Sequence, residues 1–168
     1  QECLLLQLQR KQDGDIVKFT ALKIVEKFFE ELKRVLVPGG GCILVEPHGG
    51  PASAALHRRM HTDEFFDPQM PDWVNTEIHG PLSGANQALS HIVFQRDLER
   101  FNRDYGSDLS LVHREYCLNS LRYLCSGGLN FRQLMPTATL PLLRGAEGLL
   151  SPMAHLWSLH HMLVIKRM

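Results

Sequence analysis

Two histidines four apart, His57 and His61, are the first pair in this sequence whose types and spacing could do chemistry. On a helix that spacing brings both rings to one face, as in zinc sites built on His-Glu-x-x-His. Here Arg58 follows the first histidine, so the carboxylate that would act as general base is missing. Arg58 and Arg59 would also repel a cation. Asp63, Glu64 and His48 are possible third ligands, but no spacing fixes any of them, and no metal is expected. His160 and His161 are adjacent, so on a strand they face opposite ways and cannot chelate together. The cysteines, Cys3, Cys42, Cys117 and Cys125, form no Cys-x-x-Cys pair and read as reduced thiols, which favours a cytoplasmic protein.

Other candidates are spread along the chain. Glu46 and His48 flank Pro47 just after an apolar run, where loops on a rigid scaffold often carry function. Asn86 and Gln87, in Ser83-Gly-Ala-Asn-Gln, offer amide donors and acceptors that could bind a ligand or cap the next helix. Arg96 could contact a substrate or simply pair with surface charges beside Asp97. Arg122 with Ser126-Gly-Gly could close an anionic pocket, since a guanidinium suits carboxylate and phosphate.

The elements that must position these residues are clearest between Glu26 and Glu46. Phe28, Phe29, Leu32, Val35 and Leu36 recur at three- and four-residue spacing and mark one face of a helix. Charged residues fill the other face, with Glu30 and Arg34 in the favourable i,i+4 order. Pro38 cannot continue the helix, and Gly39 to Gly41 supply a sharp reversal. Cys42-Ile-Leu-Val45 then runs apolar, as a strand covered on both faces would. Helix into buried strand is half of a βαβ unit and points to an α/β fold.

Asp15–Leu22 is the expected preceding strand, and residues 1–25 are otherwise unassigned. The stretch 47–95 is rich in Pro, Gly, His and Asn and reads as a long lid or insertion with a short helix near Ala52–Met60. Ala88–Tyr105 is expected to turn helical, Leu109–Tyr116 to be a strand, Asn119–Cys125 a short helix, and Leu159–Lys166 the last strand.

The chain has 168 residues, 44% apolar and 21% charged, which suits one globular domain over 1–168. Eighteen acidic residues balance eighteen basic ones, so no global charge draws it to nucleic acid or to an anionic membrane. Residues 148–165 carry no Asp, Glu, Lys or Arg, yet Pro152 and three histidines interrupt them. Buried core, rather than a membrane span, is the expectation there.

Phe28-Phe-Glu-Glu-Leu-Lys-Arg-Val-Leu-Val-Pro-Gly-Gly40 followed by Cys42-Ile-Leu-Val-Glu46 resembles the helix, turn and fifth strand of class I S-adenosylmethionine-dependent methyltransferases. Pro81–Leu89, Phe94-Gln-Arg-Asp97 and Leu121–Gly128 are similar to a bacterial branch of these methyltransferase-domain proteins. The resemblance covers about residues 26–168. It implies the C-terminal part of a Rossmann-like sheet, strands 4-5-7-6 with the seventh antiparallel, and flanking helices. Asp15–Leu22 would be strand four, Cys42–Glu46 strand five, Leu109–Tyr116 strand six and Leu159–Lys166 strand seven. Where family members often carry histidine after strand four, this chain has Lys23-Ile24-Val25.

The implied activity is methyl transfer from S-adenosylmethionine, as cosubstrate, to a small or lipid-like acceptor. Glu46 or His48 would remove the acceptor's proton, and Asn86, Gln87, Arg96, Arg122 and Ser126 would contact it. Family members hold the cofactor with a glycine loop that opens a helix. This sequence has only Gly14 before Gly39, and Gly39–Gly41 follow a helix. Its cofactor-binding residues are therefore unassigned, and an N-terminally truncated chain is expected. The alternative is a non-catalytic binding module derived from the same fold. In either case the open edge of a partial sheet favours self-association.

Overall fold

The computed structural model describes residues 16–62, 64–73, 86–127 and 132–168. Helix α1 spans Ile16–Val35. It replaces the expected strand at Asp15–Leu22, of which Asp15 lies outside the described residues. The reason is visible in the spacing. Leu22, Val25, Phe29, Leu32 and Leu36 keep the three- and four-residue period unbroken, while the alternation over 15–22 is imperfect. Val25, Phe29 and Leu32 are buried. On the outer face the expected Glu30–Arg34 pairing gives way to i,i+3 pairs, Lys33 with Glu30 at 2.6 Å and Arg34 with Glu31 at 2.8 Å.

The reversal after α1 needs its glycines. Gly39 has φ 78°, in the left-handed region, and a Cβ at Gly40 would sit 2.9 Å from the Val37 carbonyl oxygen. Strand β1 (Gly41–Pro47) follows, then α2 (Pro51–Met60), a short α3 (Leu89–His91), a π turn (Ile92–Arg96) and α4 (Leu98–Tyr105). Strand β2 (Leu109–Tyr116), α5 (Ser120–Ser126), α6 (Leu140–Leu150), α7 (Ala154–Trp157) and β3 (His160–Arg167) complete the order.

The fold is α/β with a three-stranded sheet in the order β1-β3-β2. Both outer strands pair antiparallel with β3, so β1 and β2 run parallel to each other. Those three strands fall where the sequence puts them. A register shift between Leu111 and His113 marks a bulge that leaves Val112 exposed.

One face of the sheet carries the core. Leu163 and Ile165 of β3 and Leu109 of β2 pack with Val25, Phe29, Leu32, Ile92, Val93, Phe94 and Phe101. Phe29 is its centre, with ring centroids 4.4 Å from Tyr105, 5.3 Å from Phe101 and 6.0 Å from Phe94. The other face is open: Ile43 and Val45 are 65% and 59% exposed. The reading of β1 as covered on both faces is thereby corrected, because the described helices of the core lie on one side only. A continuous apolar run shows what a strand could bury, not what is there to bury it.

Residues 148–165 also depart from expectation. Ala154, Ser158, Leu159, His161, Leu163 and Ile165 are buried, but Leu149, Met153 and Leu156 are exposed. Among the described residues no helix is long and apolar enough to cross a membrane.

Candidate functional site

The carboxyl ends of β1 and β2 meet the start of β3, and four aromatic rings gather there. His48 follows β1, and its backbone N–H donates to the Leu159 carbonyl at 2.8 Å, which ties it to the chain entering β3. Its ring centroid lies 4.8 Å from Tyr116 at the end of β2, 5.7 Å from His161 on β3 and 5.5 Å from His91 on α3. Across the strands Glu46 stands opposite His161, and His161 opposite Tyr116.

Gly49 and Gly50 make this gathering possible. A Cβ on Gly49 would come within 2.3 Å of the His91 ring, and one on Gly50 within 2.7 Å of the His48 ring. Both are too close for any side chain, so His48-Gly49-Gly50 is a close-approach motif rather than a flexible turn.

The hydrogen bonds set the protons. The His48 Nε2 lies 3.2 Å from the His155 carbonyl oxygen, which can only accept, so Nε2 carries the hydrogen. In the neutral ring the lone pair is then on Nδ1, which is buried and has no hydrogen-bond partner. His161 Nε2 lies 2.8 Å from the Ser90 hydroxyl, which is also 3.3 Å from the Pro47 carbonyl oxygen. The serine has one proton for two acceptors; whichever takes it, Nδ1 of His161 is buried without a partner.

All three imidazoles are held neutral. Burial is the main cause in each, lowering His48 and His91 below the ordinary histidine value and His161 to about 3. The neighbouring rings and the Arg114 guanidinium, whose Nη1 donates to the Phe94 carbonyl at 3.2 Å, push the same way. A neutral imidazole with a free lone pair is a proton acceptor at neutral pH. Sequence reasoning found Glu46 and His48 but missed Ser90, His91, Tyr116 and His161; the glycine pair after His48 was the available signal.

The other expected contacts lie elsewhere. Asn86 is buried and joins two segments: Oδ1 accepts from the N–H of Asp67 at 2.9 Å and of Ala88 at 3.0 Å, and Nδ2 donates to the Asp67 carbonyl at 2.7 Å. Gln87 donates its backbone N–H to the Phe65 carbonyl at 2.8 Å. Arg96 holds Asp97 through two 2.8 Å bonds and donates to the Met70 carbonyl at 2.7 Å. Trp73 Nε1 donates to Asp97 at 2.9 Å, and the Arg100 guanidinium stacks on the Trp73 ring at 4.3 Å. These side chains fasten segment 65–73 to the π turn and α4. Residues 81–85 of the same stretch lie outside the described residues.

Arg122 meets an internal anion. Its Nε and backbone N–H both donate to the buried Glu147 carboxylate, and Nη2 donates to the Leu118 carbonyl at 2.7 Å. Ser126 is exposed and bonds the Tyr123 carbonyl at 2.7 Å, with Gly127 ending the helix at φ 89°.

His57 and His61 do approach one carboxylate. His61 Nδ1 lies 3.1 Å from Glu64 Oε1, and His57 Nε2 lies 3.8 Å from Oε2. His57, however, donates Nδ1–H to the Ser53 carbonyl at 2.9 Å and stacks on Phe66 with centroids 4.2 Å apart. Asp63 lies outside the described residues, and among those described no group of His, Cys, Asp and Glu is disposed to hold a metal. Cys42, Cys117 and Cys125 are free thiols; Cys3 is outside the described part.

Comparison of the chain with protein-family models, with curated proteins and with solved structures found no match. The functional reading therefore rests on this chain's own geometry.

Proposed function

We propose that this chain forms the acceptor side of a class I methyltransferase, with the His48, His91 and His161 cluster as its proton-accepting wall. The supporting observation is the strand order. A helix–Pro-Gly-Gly–strand unit leads to two parallel strands, β1 and β2, with the last strand inserted antiparallel between them. That is the 5-7-6 arrangement the motif implies. The imidazoles stand at the carboxyl ends of β1 and β2, where open α/β sheets bind their ligands.

In this reading S-adenosylmethionine supplies the methyl group. This chain's part is to seat the acceptor and to take its proton on Nδ1 of His48. The side chains that would hold the cofactor are not assigned, since no described glycine loop opens a helix. The acceptor is small or lipid-like, and the compartment is cytoplasmic. The test begins with the reading frame upstream of Gln1, which should encode an acidic Gly-x-Gly strand–loop–helix. The protein carrying that segment should then transfer label from radioactive S-adenosylmethionine into a small-molecule or lipid extract. A frame without such a loop, or a chain carrying it that transfers no label, would overturn the reading.

A second reading, a binding module without catalysis, is favoured by the free edge of β1. His48 N–H bonds Leu159 O and Arg167 N–H bonds Gly40 O, so even-numbered residues of β1 face β3. The N–H and C=O groups of Gly41, Ile43 and Val45 therefore turn outward. An antiparallel second copy centred on Leu44 would pair Ile43 with Val45 in both directions, satisfying those groups and setting apolar side chains together. The expected result is a dimer in sedimentation velocity that Ile43→Lys converts to monomer. A wild-type chain that stays monomeric at high concentration rejects this reading.

A further inference from the structure

The chain's charges balance overall, yet one side of the molecule is almost free of acid. From Leu118 to His160 the only Asp or Glu is Glu147, which is buried and held by Arg122. The same stretch carries Arg122, Arg132 and Arg144. Helix α2, which packs against α7, has Arg58 and Arg59 and no acidic residue. Helix α5, which packs against α6, has none either.

This side is also apolar to a degree that solvent exposure does not favour. Leu142 and Leu149 of α6 are 72% and 85% exposed. They are seven residues apart and so share one helix face. Between them Gly145 has open space where a Cβ would stand. Leu134, Met135, Met153 and Leu156 continue the exposure on either side. Contiguous exposed apolar surface of this kind marks an interaction site.

We propose that the ridge from Leu134 to Leu156 rests on an anionic lipid surface. The side chains are aliphatic and flexible, suited to a fluid acyl boundary more than to the aromatic anchors of a protein interface. The polar group nearest this use, Nε1 of Trp157, is already satisfied by the Leu150 carbonyl at 2.9 Å. Arg132 and Arg144 are exposed beside the leucines and match phosphate headgroups, and no exposed carboxylate opposes them. Helix α6 has 11 residues, so it lies in the interface and does not cross it. The proposal rests on surface chemistry alone and stands apart from methyl transfer.

Co-sedimentation with vesicles tests it, using phosphatidylcholine alone and phosphatidylcholine mixed with phosphatidylglycerol. The chain should pellet with the mixed vesicles and much less with the zwitterionic ones. Leu142→Glu with Leu149→Glu should lower partitioning roughly tenfold or more, as two buried leucines are replaced by repelled anions. Arg144→Gln should lower it roughly fivefold, the share of one cation near the surface. Because both leucines are exposed, the double variant should keep the wild-type thermal midpoint. Failure of the wild type to pellet with mixed vesicles overturns the proposal, as does a double variant that binds undiminished. Equal binding to both vesicle types overturns the charge argument. So does a ridge that proves to be a self-contact, with the wild type ignoring vesicles and the double variant turning a dimer into a monomer.

Discussion

Arg122→Ala is expected to lower the free energy of unfolding by about 3 kcal/mol, the cost of leaving a buried carboxylate unpaired. Glu147 is 2% exposed, and two of its donors come from Arg122: the guanidinium Nε and the backbone N–H at 3.0 Å. The substitution removes the guanidinium and leaves the backbone bond, so the carboxylate keeps one donor and loses its countercharge. The same change frees the Leu118 carbonyl, which accepts from Nη2. Arg122→Met with Glu147→Leu should recover most of the loss, because the fold gains from having the pair satisfied more than from having it charged. Urea denaturation of the three proteins measures this. If Arg122→Ala is as stable as wild type, the guanidinium is not anchoring Glu147 and is available to a ligand, as the Arg122-x-x-x-Ser126 spacing first suggested.

That contrast shows what the sequence could reveal. The α1–turn–β1 unit was legible because period, breaker and glycines agree, and β2 and β3 were legible from short apolar runs between turn signals. The start of α1 was misread because 15–22 was judged alone, while its spacing belongs to the longer helix. Side-chain partners were beyond reach. Arg122 and Glu147 are 25 residues apart and nothing local couples them. Asn86 looked free to meet a ligand, yet its amide is held by Asp67, 19 residues earlier. The histidine cluster draws on β1, α3, β2 and β3, so only the strand order brings it together. One part was legible and passed over: glycines at 49 and 50 directly after His48, each needed because a ring stands where a Cβ would be.

The cluster should make the fold sensitive to acid. His161 is fully buried, and its folded-state value is about 3 against an ordinary 6.5. Between those values the unfolded chain binds a proton that the folded chain refuses. The stability is thus fully present above about pH 6.5 and is lost as the pH falls toward 3, on the order of 4 kcal/mol for this one ring. His48 and His91 are shifted in the same direction by burial and add to the loss. Stability should be flat from neutral to mildly alkaline pH and then decline below pH 6.5, well before most carboxylates protonate. His161→Leu keeps an apolar side chain at the site, and the Ser90 hydroxyl retains the Pro47 carbonyl oxygen. The slope of unfolding free energy between pH 6 and 4 should fall by about 1.4 kcal/mol per pH unit in that variant, one proton's worth. The His161 ring followed by NMR should show no titration above about pH 4 while the protein stays folded. A ring that titrates near 6.5, or a slope unchanged by His161→Leu, would mean that solvent reaches the cluster, and the neutral proton acceptor at His48 would go with it.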